Sequence, residues 1–88
     1  MECYLYILYS PILNKYYVGS TNNINRRLYE HNIGHSIYTR KGIPWELKGK
    51  KAFSILEEAR TEERRIKKCK SRKYIEAYLA KLVESSDK

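Results

Sequence analysis

The sequence predicts an α+β fold in which a small antiparallel three-stranded sheet is flanked by helices, in the order β-β-α-β-α-α. Residues 3–9 (CYLYILY) and 15–19 (KYYVG) are rich in aromatic and aliphatic side chains, and turn residues lie between them. This pattern is typical of a hairpin. Two later segments place apolar residues three and four positions apart, which favours amphipathic helices. With 88 residues there is room for one modest core, so we expect residues 1–88 to form a single domain.

The register of the predicted hairpin decides which side chains meet on its surface. If Tyr9 pairs with Asn14 across a four-residue loop, Tyr6 lies opposite Tyr17 on the same face of the sheet. The two phenols would then share a patch next to Gly19. Because glycine has no side chain, another molecule could come close at that position.

A first helix is expected directly after the hairpin. The polar segment STNN (20–23) offers several N-cap residues, and Ile24 and Leu28 are spaced to face the core. Gly34 is well placed to end this helix, since glycine adopts the left-handed backbone conformation that often follows a last turn. Residues 34–44 contain two glycines and a proline, which indicates a loop.

The second half of the chain adds one strand and two helices. A third strand starts at residues 45–47 (WEL) and is expected to contain a bulge before residues 51–53 (KAF). Ser54 and Glu57 form the S-x-x-E pattern of a capping box ahead of a long helical segment. A further helix is expected from about Ser71, because apolar residues recur there at helical spacing.

The composition points to a polyanionic partner. The net charge is +8 with a pI near 9.6, and a chain this basic most often binds nucleic acid. No apolar run is long enough for a membrane span, and no secretory signal is visible, so we expect no membrane association. Cys3 and Cys69 form no CxxC pair and the histidines have no zinc spacing, which indicates a reduced, cytoplasmic location without structural zinc.

Four segments resemble the GIY-YIG nuclease superfamily. They are YLYIL (4–8), YYVGST (16–21), RRLYEHN (26–32) and PWEL (44–47). The resemblance is strongest to short stand-alone bacterial members, which are described as predicted endonucleases. It extends from residue 4 to about residue 76, and the order and spacing of several motifs make it more specific than any single motif.

The resemblance implies a catalytic group of five residues. Tyr6 takes the place of the tyrosine in GIY and is implied to be the general base, while Tyr17 takes the place of the tyrosine in YIG. Arg27 matches the arginine that stabilises the phosphate, and His31 matches the histidine one helical turn later. Glu63 matches the glutamate that holds one Mg²⁺ or Mn²⁺ ion. Which of the two phenols loses its proton stays open at this point.

The sequence offers two neighbouring glutamates as the metal ligand. On a helical projection, the apolar stripe of this helix consists of Ile55, Ala59, Ile66 and Cys69. Glu62 projects near the middle of the stripe and Glu63 lies at its shoulder. Since a metal ligand should line a wet edge of the core, we favour Glu63. Glu62 remains the alternative, because a small rotation of the helix would exchange the two.

A basic run follows the predicted metal ligand. Residues 64–73 (RRIKKCKSRK) contain seven lysines and arginines and no acidic residue. We expect this run to follow the phosphate backbone of DNA, with a contribution from the loop after the first helix. The predicted DNA contacts are Gly19, Arg40, Lys41, Arg64, Lys67, Lys68 and Lys70.

The sequence thus predicts a Mg²⁺-dependent endonuclease that hydrolyses phosphodiester bonds in DNA. Two alternatives are a non-catalytic nucleic-acid-binding module on the same scaffold and a basic structural or interaction protein. Whether the DNA is duplex, branched or single-stranded stays open, as does selectivity against RNA. We expect no separate DNA-reading domain, and a homodimer is one option for a chain of this size.

Overall fold

The computed structural model describes residues 2–69 and 71–86 and contains three strands and three α-helices in the predicted order. The α+β prediction is therefore confirmed. A short 3₁₀ turn at Arg40–Gly42 interrupts the loop before the third strand. The elements are β1 (Cys3–Ser10), β2 (Lys15–Thr21), α1 (Ile24–Asn32), β3 (Glu46–Phe53), α2 (Leu56–Cys69) and α3 (Arg72–Ser86).

The sheet has the strand order β2-β1-β3, and both pairings are antiparallel. The expected hairpin register is wrong by two residues, because Tyr6 pairs with Gly19 and Leu8 pairs with Tyr17. The turn therefore lies at residues 11–14. Side chains alternate between the two faces with a period of two, so this shift keeps Tyr6 and Tyr17 on the same face.

The third strand contains the expected bulge. Its pairing with β1 shifts between Leu47, which lies opposite Leu8, and Gly49, which lies opposite Ile7. Lys48 is the extra residue. The bulge keeps Gly49 against α3, where an added Cβ would lie 2.7 Å from a methyl carbon of Leu79.

Each face of the sheet packs against different elements. One face forms a cluster with α2 and α3, built on Leu5, Ile7, Val18 and Ile66. The opposite face forms a cluster with α1 and the loop before β3, built on Tyr6, Leu8, Ile24 and Trp45. The edge strand β2 therefore lies where side chains from α1 and from α2 can meet.

The helix ends agree with most of the sequence signals. Asn23 caps α1 by accepting a hydrogen bond from the Arg26 amide at 3.1 Å, and Gly34 follows this helix with φ of 80°. The Ser71 hydroxyl accepts from the Tyr74 amide at 3.1 Å at the start of α3. The predicted capping box is not formed: α2 starts at Leu56, and among the described residues the Ser54 hydroxyl has no bond to the first turn. No helix within these residues is long and apolar enough to cross a membrane.

Candidate active site

The centre of the site is the phenol of Tyr6, which is only 2% exposed. Its ring lies across Gly19 on the neighbouring strand: a Cβ at Gly19 would lie 2.5 Å from the Tyr6 hydroxyl oxygen. The glycine thus makes room for the tyrosine ring. The space expected there for a second molecule is filled by Tyr6.

A chain of polar contacts leads from Tyr6 into the loop before β3. The Tyr6 hydroxyl lies 3.2 Å from Nε2 of His31, and Nδ1 of His31 lies 2.8 Å from the Thr39 hydroxyl. Both His31 and Thr39 are buried at 1% exposure. The Thr39 carbonyl accepts a hydrogen bond from the Trp45 indole at 2.6 Å. These contacts hold the imidazole in one orientation with one nitrogen facing the phenol.

Arg27 lies on the same side of α1 as His31, as the four-residue spacing predicts. Its Nη1 donates to the Glu30 carboxylate at 3.0 Å, and its side chain remains 40% exposed. The Nε atom is buried and has no hydrogen-bond partner among the described residues. Arg27, His31 and Glu30 line a cleft of about 240 Å³ together with His35 and Ser36. This cleft gives an anion a route to the guanidinium.

Burial and charge set the protonation of the two central groups. Burial raises the pKa of Tyr6 above its ordinary value, and the Arg27 guanidinium opposes this shift without cancelling it. Burial, followed by the charge of Arg27, lowers the pKa of His31. At pH 7 the phenol is therefore protonated and the imidazole neutral. We assign the Tyr6 hydroxyl as donor to Nε2, so that Nδ1 donates to Thr39.

Tyr17 lies beside these groups on the edge strand. Its ring centroid is 6.3 Å from that of Tyr6 and 5.0 Å from that of His31, so the two phenols share a patch. The Lys67 ammonium lies over the outer side of the Tyr17 ring at 5.6 Å from its centroid. Tyr17 therefore connects the cluster on α1 with the residues of α2.

Glu63 is the carboxylate of α2 that faces this edge. Its two oxygens have separate partners: the Ser20 hydroxyl donates to Oε1 at 2.6 Å, and the Lys67 ammonium lies 2.7 Å from Oε2. The side chain is 20% exposed. Its charge is close enough to Tyr6 to contribute to the raised pKa of that phenol. The structure thus brings Glu63 to the same region as Tyr6, Tyr17, Arg27 and His31.

The side chain of Glu62 contacts α3 and not the edge strand β2. It accepts a hydrogen bond from the Tyr78 hydroxyl of α3 at 2.8 Å and forms an ion pair with Arg65 at 2.9 Å. The Arg65 contact is the main reason why the pKa of Glu62 is lowered. This residue joins α2 to α3 and lies away from Tyr6. Two members of the predicted apolar stripe, Ile55 and Cys69, are exposed, whereas Ala59 and Ile66 are buried as expected.

The charged residues among the predicted DNA contacts lie in two groups, while Gly19 is covered by the Tyr6 ring. Arg40 and Lys41 are exposed in the 3₁₀ turn next to Thr39, and Arg64 and Lys68 are exposed on α2. Arg64 forms an ion pair with Glu57 at 3.3 Å, both partners being mostly exposed. Lys67 has the two contacts described above, and Lys70 lies outside the described residues. DNA binding by these residues stays a prediction.

The sequence reasoning missed three residues that hold the site together. Thr39 fixes the His31 ring, Ser20 binds Glu63, and Asn32 bonds both backbone groups of Trp45, at 2.6 Å and 3.1 Å. Ser20 was visible as the position after Gly19 in the YYVGST segment. Thr39 and Asn32 carry no pattern of their own, since polar residues of these types are common in loops and at helix ends.

The fold and the site together define a small α+β domain with a polar cluster at the edge of its sheet. A family model described as the GIY-YIG catalytic domain matches residues 2–85. The chain therefore belongs to the GIY-YIG family, whose members are generally nucleases.

Two small bacterial proteins are similar to this chain. A UPF0213 protein of Bacillus licheniformis is 44% identical over 64 residues, which cover 72% of this chain and 65% of that protein. The chain thus matches slightly less than two thirds of the length of this curated relative. The solution NMR structure of a UPF0213 protein from Bacillus halodurans matches with a TM-score of 0.57 and 33% identity, covering 91% of this chain and 84% of the other.

Proposed function

We propose that this protein is a metal-dependent endonuclease that hydrolyses phosphodiester bonds in DNA. The observation that carries the proposal is the convergence of four side chains, from β2, α1 and α2, on the buried phenol of Tyr6 in β1. The Tyr6 hydroxyl contacts His31, and its ring lies beside Arg27 and Tyr17. Glu63 is close enough for its charge to contribute to the raised pKa of Tyr6. A protein that only bound the backbone of DNA would need exposed cations, and nothing in that role requires a buried tyrosine next to a histidine.

The carboxylate of Glu63 would hold the metal ion. The described residues contain no group of three or more potential ligands from His, Cys, Asp or Glu, and we propose Glu63 as the single protein ligand. This suits Mg²⁺ or Mn²⁺, because such hard cations often keep several waters and take further oxygens from a substrate phosphate. The Lys67 ammonium lies 2.7 Å from Oε2, so this oxygen is accessible to a cation, and a bound metal ion would take the place of the ammonium. When bound, the ion would neutralise charge on the phosphate as a Lewis acid.

The residues of the chain itself would bind the phosphate and move the proton. Arg27 offers a planar fork of donors that matches phosphate oxygens and reaches the cleft. Since Tyr6 is protonated at pH 7, it takes a proton from the attacking water only as its own proton passes to Nε2 of His31. The distance of 3.2 Å and the neutral imidazole support this transfer. Tyr17 packs against both rings and keeps them in place.

The two glutamates provide the direct test of the proposal. Glu63→Gln removes the anionic oxygen that Mg²⁺ prefers, so nicking should collapse while DNA binding in EDTA persists or becomes tighter. Glu62→Gln is the matched control, because it changes the same charge one residue away and should keep most of the activity. We would measure nicking by both variants over a Mg²⁺ titration.

Three results would count against the proposal. Activity that survives in the Glu63 variant and is lost in the Glu62 variant would reverse the assignment of the ligand. Activity that survives in both would remove the metal site from α2. If the unmodified protein binds single-stranded, duplex and branched DNA and RNA but cleaves none of them with Mg²⁺ or Mn²⁺, it is a non-catalytic binding module.

A further inference from the structure

We propose that Tyr38 is a stacking platform for an unpaired nucleobase of the substrate, next to the site of cleavage. The inference rests on the proposed nuclease function and narrows its substrate to nucleic acid with at least one unpaired base near the scissile bond. It is carried by the exposure of Tyr38, by the rigidity of its backbone, and by the groups on either side.

Tyr38 lies on the surface and is almost fully exposed to solvent. Its side chain is 92% exposed, the highest fraction among the large hydrophobic side chains that the structure describes. Among those residues its hydroxyl has no hydrogen-bond partner, and its ring has no aromatic or cationic partner. An aromatic ring so exposed gains nothing for the stability of the fold, since burial is what makes such a side chain stabilising. Its surface is fully available to a ligand.

The backbone around Tyr38 is nevertheless fixed. The next residue, Thr39, is buried, and its carbonyl accepts hydrogen bonds from the Gly42 amide at 3.0 Å and the Trp45 indole at 2.6 Å. The Arg40 amide donates to the Ser36 carbonyl at 3.0 Å, which closes one turn around Tyr38. A ring presented from a fixed turn loses little conformational freedom when a base stacks on it.

Tyr38 lies next to a residue that contacts the proposed catalytic side chains. Thr39 binds the His31 ring, and that ring contacts the Tyr6 phenol. On the other side, Ser36 lines the cleft that contains Arg27. A nucleotide whose base lies on Tyr38 would therefore neighbour the phosphate bound at Arg27.

The local charge fits a nucleic-acid strand. Arg40 and Lys41 are exposed directly after Tyr38, and residues 31–45 contain no acidic side chain. An aromatic platform combined with cations that follow the backbone is the general design of single-strand binding sites, because every base has a π-face. In a duplex both faces of a base are covered by its neighbours. We therefore assign an unpaired base to Tyr38 and exclude a continuous duplex.

Fluorescence of a tryptophan at this position tests the stacking directly. In EDTA, where nothing is cleaved, a single-stranded oligothymidine should quench the emission of Tyr38→Trp, and a fully paired duplex should not. Trp45 gives a common background in all variants, since it is 6% exposed and buried against Tyr17. Tyr29→Trp is the matched control: Tyr29 is 64% exposed on α1, two residues from Arg27 and therefore on another side of the helix. Its emission should be unaffected by the single strand.

Affinity gives a second, independent measurement. Tyr38→Ala should weaken binding of the single strand on the order of tenfold, and Tyr38→Phe should keep it, because stacking needs the ring and not the hydroxyl. The inference is overturned if Tyr38→Trp is not quenched, if Tyr38→Ala binds the single strand as the unmodified protein does, or if the loss is equal for the duplex. A failure of the nuclease proposal looks different: quenching persists while no substrate is cleaved with Mg²⁺. A failure of the inference alone leaves cleavage of single strands by Tyr38→Ala unchanged.

Discussion

Tyr6 depends on residues that lie far from it in the sequence. Its ring needs the absence of a side chain at Gly19, and its hydroxyl needs a neutral imidazole at His31. Each dependence can be tested with a single substitution. The contact at Gly19 depends on the volume available to the ring, and the contact at His31 depends on the protonation of the imidazole. At the scale of the residue, the position of Tyr6 thus depends on two separate contacts: its ring needs the space at Gly19, and its hydroxyl needs the hydrogen bond to His31.

Gly19→Ala should reduce both stability and activity. The added Cβ would lie 2.5 Å from the Tyr6 hydroxyl oxygen and 2.6 Å from the ring carbon that carries it, so the ring must move. Overpacking of this kind costs about 1–3 kcal/mol in the free energy of unfolding. Displacement of the phenol from His31 should also lower the nicking rate at temperatures where the variant is folded. Urea unfolding and single-turnover nicking measure the two effects.

Gly49→Ala is the control for this experiment. Its Cβ would meet side-chain methyl groups of α3, at 2.7 Å from Leu79, on the opposite face of the sheet from Tyr6. This variant should lose stability and keep its nicking rate. Equal losses of rate in both variants would mean that the Gly19 effect is not specific to the Tyr6 ring.

His31 should make stability depend on pH. The pKa of this residue is lowered in the folded protein, mainly by burial, whereas in the unfolded chain it is about 6.5. The stability that depends on neutral His31 is fully present above the unfolded pKa and is lost as the pH falls through the folded pKa. The free energy of unfolding should therefore decrease below about pH 6.5. In His31→Gln this decrease should be smaller; a decrease unchanged from that of the unmodified protein would assign it to other groups.

At the scale of the element, the hairpin shows what could be predicted from the sequence and what could not. The two strands and the shared face of Tyr6 and Tyr17 were predictable, because alternation along a strand survives an even shift of register. The register itself was not. The turn forms at residues 11–14 because the Ser10 hydroxyl accepts from the Leu13 amide at 3.0 Å, and because Asn14 adopts φ of 54°. A serine hydroxyl that accepts from a backbone amide and an asparagine with positive φ also occur in other kinds of turn. These residues therefore do not fix the register from the sequence alone.

The connection from α1 to β3 was the least predictable element. Residues 34–44 were expected to be a loop, yet this segment fixes His31 through Thr39 and is itself fixed by Trp45. Loops of polar and small residues have no periodicity from which long-range contacts could be inferred. The candidate site residues on the regular elements were identified through the resemblance to a family, whereas their supporting residues depend on the tertiary structure.

Asn32→Ala should detach this connection from α1. The Asn32 amide accepts from the Trp45 backbone amide at 2.6 Å and donates to the Trp45 carbonyl at 3.1 Å. Loss of both bonds leaves two partly buried backbone groups without a partner, which costs about 1–3 kcal/mol in the free energy of unfolding. Asn25→Ala is the control, because Asn25 is exposed on the same helix. Urea unfolding followed by tryptophan emission would contradict the prediction if the two variants were equally stable.

At the scale of the whole molecule, two groups of exposed positive charge lie on different elements. Arg64 and Lys68 lie on α2, which packs on the β2 side of the site through Ser20 and Glu63. Lys48 and Lys51 lie on β3, the opposite edge strand. The net charge of +8 alone would attract DNA to any surface. A comparison of the two groups decides whether binding is oriented toward the site.

Replacement of Arg64 and Lys68 by glutamine should weaken DNA binding and reduce its dependence on salt. Each lost phosphate contact lowers the slope of log affinity against log salt by about 0.7–0.9, since one fewer counterion is released. The matched control replaces Lys48 and Lys51 by glutamine, which changes the net charge by the same amount at the far edge of the sheet. We would measure binding by fluorescence anisotropy in EDTA at several KCl concentrations. A smaller slope in the α2 variant alone supports a phosphate track along this helix, whereas equal changes in both variants would show that the charge of the whole molecule, and no particular face, holds the DNA.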